Sequence, residues 1–109
     1  MEAKYLHVGI PITNKKPNMI YLEPFKVWIT NVDDYDFKIE YLKYEEGTPF
    51  PEILHKNPHI AYAVEDMQPY FDQAQQVLFG PADLSEDMEF AYILLDNTIF
   101  ELQAPKKMK

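Results

Sequence analysis

Two residue types are missing from this 109-residue chain: it has no cysteine, and all 10 of its basic residues are lysine, so it has no arginine. Without cysteine, disulfides, thiolate nucleophiles and zinc–thiolate sites are excluded, while the redox compartment stays open. Without arginine, no side chain can grip a carboxylate or phosphate through two parallel hydrogen bonds, and an anionic substrate group has to be met by lysine, backbone N–H or metal. Positive charge is also scarce, because 18 acidic residues outweigh the lysines and leave a formal charge of −8. A phosphate backbone would be repelled over most of such a surface, so no nucleic-acid partner is expected. No apolar run approaches membrane-spanning length, and residues 1–5 lack the charged and apolar blocks of a signal peptide. The expectation is a cytoplasmic protein with no membrane partner.

What is present is the composition of a folded domain, 47% apolar and 15% aromatic. A chain of this length can bury one core but not two independent ones, so a single domain is expected and any internal repeat has to share its core. Such a repeat is visible. Residues 58–66 (PHIAYAVED) place His59 at the mouth of a short apolar strand that runs into an acidic helix start, and residues 4–12 (KYLHVGIPI) have the same shape around His7. Each is followed by a β-type run with a glutamate inside it: Glu40 within residues 37–44 (FKIEYLKY) and Glu101 within residues 98–103 (TIFELQ). His7 and Glu40 are 33 positions apart and His59 and Glu101 are 42 apart. The difference is about the length of one short helix.

Taken in order, residues 5–12 alternate so that Leu6, Val8 and Ile10 share one face and His7 and Gly9 the other. Residues 13–18 are turn-forming, and residues 19–22 fit either a short extended piece or one helical turn. Residues 25–30 (FKVWIT) and 37–44 form a hairpin. A Pro- and Gly-containing linker over residues 47–57 then holds one or two turns of helix and His55, expected to be exposed to solvent. In the second half, Glu65-Asp66 caps an amphipathic helix over residues 67–75. Residues 77–81 form a short strand, 82–87 a loop, 89–95 a strong strand, and Asp96-Asn97 the turn into 98–103. The lysine-rich end from residue 106 is expected to fray. The fold class is thus α+β, with a first module at 1–46, a linker at 47–57, a second module at 58–105 and a tail at 106–109.

Two histidines and two carboxylates suit a divalent first-row ion such as Zn, Ni, Mn, Co or Fe, with positions left for water or substrate. Each residue also has an ordinary structural reading on its own. The pattern resembles the vicinal oxygen chelate superfamily, the glyoxalase, bleomycin-resistance and extradiol dioxygenase group. The match rests most on residues 58–67 (PHIAYAVEDM), on 90–102 (FAYILLDNTIFEL) and on 7–11 (HVGIP). The resemblance implies two βαββ modules whose strands curl into one mixed sheet, the first shortened with little or no helix, and a metal held by His7, Glu40, His59 and Glu101.

It further implies a small substrate with adjacent oxygens, with Glu101 or Glu40 as base and with Trp28, Phe90 and Tyr92 around the pocket. Glutathione-dependent chemistry is disfavoured, because that group uses arginine to hold the tripeptide. An isomerase, epimerase or lyase is the expected enzyme. The alternatives are a bleomycin-resistance-like binding protein without turnover and an extradiol-type Fe(II) dioxygenase using His7, His59 and Glu101. A homodimer is expected to cover the exposed sheet edges and the incomplete first module.

Overall fold

A computed structural model describes residues 2–107. Strand β1 (Lys4–Pro11) pairs in parallel with β4 (Ile39–Tyr44), and β5 (His59–Ala63) pairs in parallel with β8 (Thr98–Pro105). A parallel pair cannot be joined by a tight turn and needs a long crossover. The second crossover contains helix α2 (Gln68–Gln73), then β6 (Gln76–Asp83) and β7 (Met88–Leu95). The first contains only β2 (Ile20–Leu22), β3 (Val27–Ile29) and three short 3-10 turns, with no α-helix. Helix α1 (Glu52–Lys56) lies between the modules. The strands follow the order β2-β3-β4-β1-β5-β8-β7-β6 in a mixed sheet. These are the two βαββ-type modules expected, the first without its helix.

Residues 7–59 make up one compact unit, and the chain up to Leu6 with the chain from Ile60 onward makes up another. In the second of these, α2 buries one face of the β7/β8 ladder. Val64, Met67, Ala91, Ile93, Leu102 and Ala104 form its core, with Tyr70 and Phe71 of the helix packed against it. The N-cap is Met67 rather than the acidic pair expected, and Asp66, one residue earlier, accepts from the Gln68 N–H at 3.0 Å. That bond, and next the Lys107 ammonium, holds the Asp66 carboxyl below the usual carboxylate range. The helix is shorter than the sequence pattern, since residues 74–75 leave it to join β6.

Burial in the first unit departs from simple hydropathy. On β1 it is His7, at 6% exposure, and Gly9 that are buried, whereas Leu6, Val8 and Ile10 are half-buried. No helix lies between β1 and β2, where α2 lies in the second module. Lys15 instead sits 3.6 Å over the Trp28 ring and Lys16 4.5 Å over the Tyr41 ring. Aliphatic stems and cation–π contact therefore stand over part of this face.

Two local expectations change. His55 is half-buried, with Nε2 2.9 Å from the Phe50 carbonyl and its ring stacked on Tyr44 at 4.4 Å. Beside it, α1 is anchored by Leu54, which is 0% exposed. The end of the chain is also tied down as far as it is described. Lys106 donates its backbone N–H to Asp87 at 2.8 Å and places its ammonium 3.0 Å from Asp83. Lys107 lies 3.4 Å from Asp66. The last two residues of the expected tail, 108–109, lie outside the described residues.

Candidate metal centre

Period-two alternation and parallel register place the four candidate ligands. Gly9 on β1 is opposite Glu40 on β4, and Ala61 on β5 is opposite Glu101 on β8. His7 precedes Gly9 by two residues and His59 precedes Ala61 by two. Each histidine therefore shares a sheet face with the glutamate of its own module, one diagonal step away, within reach of long side chains. The repeat read from the sequence is thus also a repeat of register.

In the unit of residues 7–59, His7 Nε2 lies 3.4 Å from Glu40 Oε1, with side chains 8% and 15% exposed. The His7 and His59 rings meet edge to face, their centroids 5.9 Å apart. His59 is 1% exposed. Its ring occupies the space where a side chain on Gly9 would be: a Cβ there would stand 2.8 Å from Nδ1 and closer still to Cε1 and Nε2. Glycine at this position is a requirement of close approach.

In the other unit, Glu101 is 5% exposed on the central strand β8, and its Oε2 accepts from Gln103 Nε2 at 2.9 Å. One donor atom from each of His7, Glu40, His59 and Glu101 lies within 4.8 Å of all the others. Ligands on opposite sides of one ion, each at about 2.0–2.2 Å, are separated by at most about 4.4 Å. The 4.8 Å span of the four donors is thus close to that of one ion's ligand shell. Two imidazoles and two carboxylates form a borderline nitrogen–oxygen donor set, suited to zinc, nickel, manganese, cobalt or iron. The residues fit a divalent cation.

The three aromatics expected at a pocket divide. Tyr92 is opposite Glu101 and Phe90 opposite Gln103, so both share the glutamate's face, at 3% and 4% exposure. Trp28 is opposite Lys43, whereas Ile29 is opposite Leu42, which puts Trp28 on the face away from Glu40. Lys43 there reaches Glu45 at 2.6 Å and holds that carboxyl below its usual range.

No family model and no curated protein matches the chain. A solved structure does. Hypothetical protein BH1468 from Bacillus halodurans C-125 is similar over 100% of this chain and 99% of its own, with a TM-score of 0.64 and 19% identity. At that identity the likeness shows a shared fold and carries no activity with it.

Gly9 lies against His59 and Gln103 bonds Glu101, and neither was among the candidate residues. Gln103 had a signal, since it is two residues beyond Glu101 and therefore on the same strand face. Gly9 had the same signal, being two residues beyond His7, but nothing in the sequence shows that His59, 50 positions away, is its neighbour.

Proposed function

We propose that this chain is a metal-binding protein of the vicinal oxygen chelate type, with His7, Glu40, His59 and Glu101 as ligands of one divalent ion. The observation that carries the proposal is the convergence of those four donors within 4.8 Å of one another. The repeated register supports it, because each module supplies one histidine and one glutamate at the same relative positions. When bound, such an ion supplies Lewis acidity toward a substrate oxygen.

The chain's own residues define what it would act on. With no arginine, the binding face is not built for a glutathione-like anion. Phe90 and Tyr92 supply apolar walls on the face of Glu101. Glu40 is half-buried while Glu101 is buried, which makes Glu40 the carboxylate freer to accept a proton from substrate. The substrate class is a small, weakly charged molecule with two adjacent oxygens, and the reaction class is isomerisation, epimerisation or elimination beside a carbonyl.

The test is elemental analysis of tag-free protein, followed by chelator dialysis and titration with Zn, Ni, Mn, Co and Fe(II). About one ion per chain is expected, and His59→Ala, Glu101→Gln and Glu40→Gln are each expected to lower affinity at least about ten-fold. No uptake of any of these ions would remove the metal proposal. Uptake unchanged in Glu40→Gln would reduce the ligand set to three.

A further inference from the structure

We infer that Gln103 is the positioning residue of this centre, fixing the orientation of the Glu101 carboxylate. The inference rests on the metal proposal above. Its starting point is a break in the repeat. Two residues beyond Glu40 the first module has Leu42, 3% exposed, on the same face as its glutamate. An apolar residue thus serves the strand at that position, yet the second module has a glutamine there.

The glutamine is held on both sides. β8 lies between β5 and β7, and Gln103 is in register with Ala63 on one and Phe90 on the other. Its carbonyl accepts from the Val64 N–H at 2.9 Å. Only the side chain has freedom, and its amide nitrogen stands 2.9 Å from Glu101 Oε2. The assignment of that nitrogen is fixed by chemistry, because an ionised carboxylate only accepts and the amide oxygen could not face it. The amide therefore holds the Glu101 carboxylate through Oε2. Buried carboxylate ligands are oriented by outer partners of this kind, whose removal typically weakens metal binding by 10–100-fold.

The first module lacks this device, since Leu42 has no donor to give. The two glutamates thus have different neighbours: Glu101 is met by the Gln103 amide, and Glu40 by the His7 imidazole at 3.4 Å.

The experiment uses the full chain with Co(II) as the probe, reading affinity by calorimetry and the ligand field by the visible absorption bands. Gln103→Met keeps the length and removes the donor; Gln103→Asn keeps the amide but is too short to reach Glu101. With circular dichroism unchanged, each variant is expected to bind Co(II) about 10–100-fold more weakly, with shifted bands. Should the methionine variant fail to fold, the asparagine variant decides. Folded variants with wild-type affinity and wild-type bands would overturn the role of Gln103 while leaving the metal centre standing. Wild-type protein that takes up no Co(II) would overturn both.

Discussion

Replacing Gly9 with alanine adds one methyl group in a place already filled. Gly9 is in extended backbone, so alanine carries no conformational penalty, and relieving a glycine inside a strand is worth about 0.5–1 kcal/mol. Against this stands the His59 ring, within 3.0 Å of the new Cβ at three of its atoms. That ring is 1% exposed and has little room to yield. Overpacking of this kind costs about 1–3 kcal/mol, so a net destabilisation of about 1 kcal/mol is expected. With a urea dependence of about 1–1.5 kcal/mol per molar, the midpoint should fall by about 0.5–1 M.

Two controls isolate the cause. In a His59→Ala background the clash is gone, and Gly9→Ala should become neutral or stabilising by up to about 1 kcal/mol, a reversal of sign. The equivalent position of the second module already has a methyl group, because Ala61 stands there at 0% exposure. Ala61→Gly should therefore destabilise, by about 1 kcal/mol. Metal affinity should fall with Gly9→Ala even where the protein remains folded, because the displaced ring is a proposed ligand. A Gly9→Ala protein with an unchanged or higher urea midpoint and unchanged metal affinity would refute the placement of His59 over Gly9.

Acidification should release the metal, because protons and the ion compete for the imidazole nitrogens of His7 and His59; calorimetry should show roughly ten-fold or greater weakening between pH 7.5 and 5.5, and a flat profile would exclude histidine ligation. Leu54→Ala should cost about 2–5 kcal/mol in urea unfolding, since a fully buried leucine anchors α1; a loss under about 1 kcal/mol would mean that the helix contributes little to the core.

The parts of the fold that follow from local periodicity could be read from the sequence. His7 and His59 announced themselves as polar residues on alternating strands, and Glu40 and Glu101 did the same. The helix after Asp66 was visible through the acidic pair before it, although its N-cap is Met67. What could not be read depends on register or on distant neighbours. Trp28 falls on the other face because its pairing with Lys43 is set by the 3-10 turns between Val32 and Lys38. His55 reads as solvent-exposed because neither Tyr44 nor the Phe50 carbonyl announces that it will meet an imidazole. Hydropathy also misjudged β1, where the aliphatic row is less buried than the row containing His7.

The matching registers Gly9–Glu40 and Ala61–Glu101 impose an even–odd rule on change in this chain. Between histidine and glutamate the two modules differ by nine residues, the whole difference being absorbed where no ligand stands. Length between the ligand strands is therefore free. Inside β1, β4, β5 or β8 it is not, because one residue inserted between a candidate ligand and the paired positions of its own strand would turn that side chain to the opposite face. Insertions should be tolerated at the exposed residues 13–14 and should abolish metal uptake when placed between His7 and Gly9, even in a protein that still folds.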